Sequence, residues 1–327
     1  MQQRATRTLT YTCLAVIGIG AAAGWWYVNT RNPKEITVGL VTWVGYGPLF
    51  IAEEKGFFKQ EGLPNVALKT LDGPGEREAA FQAGQIDLFP NTPDAFVIFF
   101  ANQQPKGRIV AALDESVGAD GIIAKRSVSS PRDLKGKTIG YQSGITSHFL
   151  LLYVLNQHGL TGRDIKQENL NASDAGAAFM AGKLDAAVTW EPWLSKAKTS
   201  GDSRVLATSA DTKGLIVDVV LASESMVKSN GEGIRAFLRA WHRAVMFLEQ
   251  DSAEARNIIA RRLNLKPHEA TEMLTTTRFL TREEGREYLQ NGMANMSQAA
   301  ARLFIENGVI SKVPNLQAMV DTNYYPK

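Results

Sequence analysis

Trp190-Glu191-Pro192-Trp193 follows the small apolar run Ala186-Ala187-Val188 and sets a carboxylate between two indoles. The apolar run suits a buried strand, and the tetrapeptide that ends it suits a site. A carboxylate left unpaired there is expensive to desolvate, so it needs a nearby cation or a bound solute. The nearest basic residue after it is Lys196. Trp190 with Glu191 can receive an ammonium or another electron-poor group through cation–π attraction and charge-assisted hydrogen bonding. A buried salt bridge is the plainer alternative for Glu191.

Other stretches carry side chains of the same promise. Trp43 and Tyr46 flank Gly45 just after the apolar segment 36–41, where aromatics either fill a core or line a pocket. Asn91-Thr92-Pro93-Asp94 is a polar turn in which Thr92 and Asp94 are candidate ligand contacts; alternatively, Asp94 caps the helix that follows. Ser143, Thr146 and Ser147 lie where a further helix opens, and helix starts hold anions through free N–H groups and partial positive charge. Ser147 could instead be a plain cap, and His148 could donate to a ligand or pack. Asp120 and Asp218 complete the acidic candidates. An ammonium beside Glu191 and an anion at the helix start together describe a small zwitterion such as an amino-sulfonate.

The same inventory argues against catalysis. His148, His158, His242 and His268 lie far apart without metal-ligand spacing. No G-x-S-x-G elbow is present, and Gly136-Lys137-Thr138 lacks the upstream glycine of a phosphate-binding loop. Neither a metal nor a cofactor is expected.

The elements that must position these residues form two copies of one pattern. Phe81-Gln82-Ala83-Gly84-Gln85-Ile86-Asp87 and Phe179-Met180-Ala181-Gly182-Lys183-Leu184-Asp185 share F-x-A-G-x-[IL]-D. Each reads as a helix end with a left-handed glycine cap, then a short strand and a polar turn. Upstream, each copy reads as strand, loop and helix, ended by Gly56 or Gly159. The whole reads as two α/β units, each around a largely parallel sheet. Ligands bind beyond the carboxyl ends of such strands, where the turns 42–47, 91–94, 142–148 and 189–193 fall. Beyond Leu221 the chain becomes helical. Trp241 sits on the apolar stripe of a helix over 231–250, Ser252 can cap the next helix, and further helices cover 269–276 and 297–307.

Hydrophobic residues make up 44% of the 327 and charged residues 21%, so the chain can bury a large core. Residues 1–34 read separately: Arg4 and Arg7 precede an apolar stretch over 9–28, long enough to span a bilayer. It is either a cleaved signal peptide or, the preferred reading, an anchoring helix ending in interfacial Trp25, Trp26 and Tyr27. Both put the remainder in the periplasm or on the outer face of the cytoplasmic membrane. Removing Arg4, Arg7, Arg31 and Lys34 takes the net charge from +3 to −1, so no case for nucleic acid remains. Cys13, the single cysteine, lies in this segment and fits a lipid-attachment signal poorly.

"GYGPLFIAEEKGFFKQEGL", "FQAGQIDLF", "DLKGKTIGYQSGITSHFLL" and "AGKLDAAVTWEPW" together resemble the solute-binding proteins of ABC importers of the nitrate, sulfonate and taurine type. The resemblance covers about residues 36–326. It implies an α/β, two-lobe periplasmic-binding-protein type II fold with two crossover strands, here 118–125 and 214–223. Lobe 1 would be 35–122 with 219–327, and lobe 2 would be 123–218, closing by a hinge on a small solute. The partners implied are an ABC permease and its ATPase subunits, plus the membrane if the N-terminal helix is retained. A binder of a thiamine pyrimidine precursor is the alternative. Eukaryotic thiamine-pyrimidine synthases share this fold, but their cysteine-rich iron-binding motif is missing.

Overall fold

Each copy of F-x-A-G-x-[IL]-D folds into the same device. Gly84 and Gly182 take φ of 68° and 76°, the left-handed region that costs a side chain strain. Gln85 N–H then reaches Ala80 C=O at 2.8 Å and Lys183 N–H reaches Ala178 C=O at 3.1 Å, closing helices Glu76–Gln82 and Ala172–Met180. The motif aspartate turns back to the first strand of its own repeat. Asp87 accepts from Thr37 N–H at 2.8 Å, and Asp185 from Thr138 N–H at 3.1 Å.

The computed structural model describes residues 35–73, 75–212, 214–250 and 253–326, with Ile36–Lys327 in one compact unit. The leader 1–34 and the cap expected at Ser252 lie outside the described residues. Among the described residues no helix is long and apolar enough to cross a membrane.

The strands are β1 (Glu35–Leu40), β2 (Asn65–Thr70), β3 (Leu88–Asn91), β4 (Gly107–Ser116), β5 (Asp120–Lys125), β6 (Thr138–Tyr141), β7 (Lys166–Asn169), β8 (Ala186–Trp190), β9 (Ser203–Thr208), β10 (Val217–Ser223) and β11 (Thr277–Phe279). They form two sheets, ordered β11-β4-β10-β3-β1-β2 and β7-β6-β8-β5-β9. The repeats thus stand in the same order, β2-β1-β3 and β7-β6-β8.

The sheets are mixed, which corrects the largely parallel expectation. β1 and β3 are parallel, as are β6 with both β7 and β8. β10 runs antiparallel to β3 and β4, and β5 antiparallel to β8 and β9. Each of these strands arrives from the opposite sheet, so it enters at the carboxyl ends of its neighbours and must run against them. The passages lie over 117–119 and 209–216, so β5 belongs wholly to the second sheet and β10 wholly to the first. Ser116 Oγ and Ser209 Oγ meet at 2.7 Å, and Ser209 Oγ also accepts from Gly118 N–H at 2.7 Å, fastening the two passages together.

Successive residues of β5 serve opposite faces of its sheet: Ile122 packs with Val188 on one side and Ile123 with Ala187 on the other. The first sheet has one large core that takes in Trp241, fully buried on helix Gly231–Glu249. Helix Pro267–Leu274 starts two residues before the expected 269, because Pro267 suits a first turn and Glu269 Oε2 accepts from Lys266 N–H at 2.7 Å. Helix Met293–Glu306 likewise begins four residues early, and its Phe304 reaches Phe149 of helix Thr146–Gln157 at 6.2 Å between centroids.

No atom lies within 4 Å of a Cβ added at Gly182, so substitution there tests backbone conformation alone. Gly182→Ala should lose about 1–2 kcal/mol. In urea denaturation, the midpoint should fall with the slope unchanged.

Candidate functional site

The two repeats end at one cavity of about 340 Å³. Trp43 and Tyr46 enter it after β1, Asn91 and Thr92 at the end of β3, Ile145 and Thr146 after β6, and Trp190 and Glu191 at the end of β8. All four turns therefore converge, and the start of β5 adds Asp120 while that of β10 adds Asp218. Two contacts join the sides of the cavity: the indoles of Trp43 and Trp190 meet edge-on at 6.4 Å and 74°, and Thr92 Oγ1 lies 2.7 Å from Thr146 Oγ1.

Its inner wall is held by carboxylates. Tyr46 Oη donates to Asp218 Oδ1 at 2.7 Å, and Trp43 Nε1 donates to Asp114 Oδ1 at 3.2 Å. Antiparallel pairing sets Asp114 directly opposite Asp218 on β4 and β10. Gly45 leaves room for this arrangement, since a Cβ there would lie 2.1 Å from Trp43 Nε1 and 2.5 Å from Asp114 Oδ1. Arg77 is buried, and its Nη1 donates to Pro90 C=O at 2.7 Å.

Burial dominates the protonation of these groups. It pushes Asp120 up to about 7 against the pull of Ser116, and Asp218 up to about 6 against Tyr46 and Arg77. Asp114 rises well above the carboxylate range through burial and the charge of Asp218. Asp94 is fully buried with no hydrogen-bond partner for either carboxylate oxygen, and burial pushes it to about 7. Among the described residues, no group of three or more acidic, His or Cys side chains is placed to hold a metal ion.

A family model described as NMT1/THI5 like matches residues 43–255. The chain belongs to the NMT1/THI5-like family. It is 27% identical over 263 residues to a protein of Escherichia coli provisionally named an aliphatic sulfonates-binding protein, covering 76% of each chain. The alkanesulfonate-binding protein SsuA of Xanthomonas axonopodis pv. citri, solved with MOPS bound, superposes with TM-score 0.76 at 23% identity. That match covers 90% of this chain and all of the other. The periplasmic nitrate-binding protein NrtA of Synechocystis superposes with TM-score 0.72 at 14% identity, covering 89% of this chain and 86% of the other.

In this NMT1/THI5-like chain, Trp43, Tyr46, Thr92, Asp120, Thr146, Trp190, Glu191 and Asp218 line the cavity, and four other candidates do not. Asp94 lies out of reach on buried helix Pro93–Gln103. Ser143 accepts from Gln167 Nε2 on an exposed face. Ser147 donates to Gln142 C=O at 3.1 Å, while Ile145 is the residue that caps the helix. His148 packs against Tyr141 and Phe304, accepts from Gly144 N–H at 3.4 Å, and is held down at about 4 by burial.

Glu191 lines the cavity but departs from the expectation that a cation or a solute must pair it. Its Oε2 accepts from Ser195 N–H at 2.9 Å and its Oε1 from Ser195 Oγ at 3.0 Å, because the tetrapeptide leads straight into helix Trp193–Thr199. Sequence reasoning passed over Asp114 and Arg77. Asp114 ends an apolar strand as ordinary core-edge polarity would, and only the pairing with β10 gives it a role.

Asp94 and Asp120 hold protons up to about pH 7 that an unfolded chain releases near pH 4. The stability they contribute is present below that lower value and lost as pH rises through 7. His148 and His242, both lowered to about 4, act in the opposite sense until their unfolded forms have titrated through pH 6.5, and Asp94→Asn keeps both, so comparing that variant with the parent over the window from 6.5 to 8 isolates the carboxylate. Over that window the protein should lose stability as pH rises. Asp94→Asn should be more stable than the parent by about 1–3 kcal/mol at pH 8. Urea denaturation at both ends checks this, and an equal difference at both would refute the role of Asp94.

Proposed function

We infer that this protein is the extracytoplasmic solute-binding component of an ABC importer. It captures a small sulfonate-, taurine- or nitrate-like solute between two lobes and delivers it to a membrane permease driven by an ATPase subunit. The cavity where four repeat-related turns meet, with two passages running between the sheets behind it, carries this reading. With the boundaries moved from 122/123 and 218/219 to the passages, lobes built from 35–116 with 217–326 and from 120–208 would rotate about them. The relatives named for sulfonates support the solute class, as does a taurine-binding periplasmic protein of Escherichia coli, 22% identical over 196 residues. Residues 1–34 would direct the protein across the cytoplasmic membrane, where it works in the periplasm or tethered to the outer face.

The candidate contacts take distinct parts in this reading. Trp43 and Trp190 grip the solute's apolar middle, while Thr92 and Thr146 close over it. Helix Thr146–Gln157 starts at the cavity without a side-chain cap and suits an anionic end. A second reading, capture of a thiamine pyrimidine precursor, is favoured by the same two indoles, which could stack on a ring.

The full chain should be stabilised by about 2.7 kcal/mol when a true ligand is present at about 100 times its dissociation constant. A thermal-shift series of taurine, alkanesulfonates, nitrate and aminopyrimidines, followed by small-angle scattering of the strongest hit, checks this. The expected result is a shift with a smaller radius of gyration. If no small solute in the series moves the melting temperature, the reading fails.

A further inference from the structure

Within this solute-binding reading, the cavity's charge narrows the solute further. Asp72, Glu78, Asp120, Asp174, Glu191 and Asp218 line it, against the single base Arg77 among the described lining residues. Three of these acids are already engaged at the rim: Asp72 accepts from Thr42 N–H and Oγ1, Glu78 from Asn91, and Asp174 from Asn171. Glu191 is satisfied by Ser195.

The remaining two also have a donor each, Tyr46 for Asp218 at 2.7 Å and Ser116 for Asp120, but differ in being buried among further acids. Asp120 and Asp218 are buried at the junction of the two passages, and Asp114 and Asp94 stand behind them, with one oxygen of Asp114 and both of Asp94 unpartnered. Arg77 offsets this group only in part: its charge lowers Asp218, but it is one charge facing several acids. Glu115 adds nothing, since Arg278 pairs with it at 2.7 Å. A bare anion seated here would meet carboxylates on the wall with no free cation to face it. A protonated nitrogen would meet acceptors it can satisfy, with two indole faces beside it.

We propose that the solute carries a protonated nitrogen that docks against Asp120 and Asp218, beside the edge-on pair of Trp43 and Trp190, so that the site selects amines and zwitterions over simple anions. The ammonium end of an amino-sulfonate would face β5 and β10, and its sulfonate the start of helix Thr146–Gln157. The cation-receiving corner is therefore the junction of the passages and not Glu191.

The groups facing this corner set the pH behaviour. They are Tyr46 before helix Gly47–Glu54, Arg77 on helix Glu76–Gln82, Asp94 on helix Pro93–Gln103, Asp114 on β4 and Tyr288 in the π-helical turn Tyr288–Gly292. Burial holds Asp120 near 7 and Asp218 near 6 in the empty site. A cation favours their ionised forms, so its binding expels protons and tightens from pH 6 to pH 8. An anion would take protons up and weaken over the same range.

Calorimetric titration of the full chain with the matched pair taurine and ethanesulfonate, which differ only by the amine, tests the idea at both pH values. Taurine should bind at least tenfold tighter at pH 8, releasing protons. Asp218→Asn, whose carbonyl can still accept from Tyr46, should lose that tenfold for taurine while sparing ethanesulfonate, with Asp120→Asn as a second variant. Equal affinity for the pair, or proton uptake with taurine, overturns the amine preference and leaves the solute-binding reading intact. Binding of ethanesulfonate or nitrate but not of taurine also overturns the amine preference alone, whereas binding of none of taurine, alkanesulfonates, nitrate, ethylamine and an aminopyrimidine overturns both.

Discussion

Tyr46 donates to Asp218 across 172 positions of chain, and the geometry of the cleft follows from that contact. It ties the turn after β1 to the first residues of the returning strand β10. The partner facing Asp218 on β4 is Asp114, which in turn holds the indole of Trp43. One hydroxyl thus orders two carboxylates, and through them the ring that meets Trp190 across the cavity. A buried hydrogen bond to a charged acceptor contributes roughly twice what a neutral one does, and losing it would also leave a buried carboxylate short of a donor. The cost of leaving that group unpaired is what keeps Trp43 aimed at the cavity.

The same carboxylates could sit here only because of the topology. A strand that crosses from one sheet to the other enters at the carboxyl ends of its neighbours, so its first residues lie at the cleft whatever their type. Asp120 is the first residue of β5 and Asp218 the second of β10. Both crossing strands thereby deliver an acid to the same junction. The serine pair Ser116–Ser209 fastens the passages just behind it, which keeps the acids close together.

Much of this was legible in the residues. The glycine and aspartate of F-x-A-G-x-[IL]-D do locally what their types suggest, because a left-handed cap and an aspartate turning back to a strand N–H need only short-range chain. The four turns were also placed correctly, since strand and helix periods locate them. What failed was partner choice. Glu191 looked unpaired because Ser195 lies one turn into a helix whose start at Trp193 the sequence does not announce. Asp114 looked like an edge residue because its significance is a cross-strand pairing with β10. His148 and Ser147 looked like ligands from their position at a helix start, yet the first turn points them back into Tyr141, Phe304 and the Gln142 carbonyl. Side-chain direction on a first turn is a tertiary property.

The distribution of charge also bears on how closure can be driven. Asp114 and Asp218 belong to the first sheet, while helix Thr146–Gln157 starts on the second lobe with its positive end at the cavity. On the proposed docking, a dipolar solute would set its anionic pole on the second lobe and its cationic pole against both, through Asp120 of β5 and Asp218 of β10. Two unit charges about 4 Å apart attract by about 1 kcal/mol in water and by about 4 kcal/mol at the effective dielectric of a protein surface. In the proposed closure the second condition would replace the first for both poles at once. A ligand shifts a conformational equilibrium only by its difference in affinity between the two states. Here that difference arises from the exclusion of water from two oppositely charged ends, and a solute with a single pole would gain only half of it.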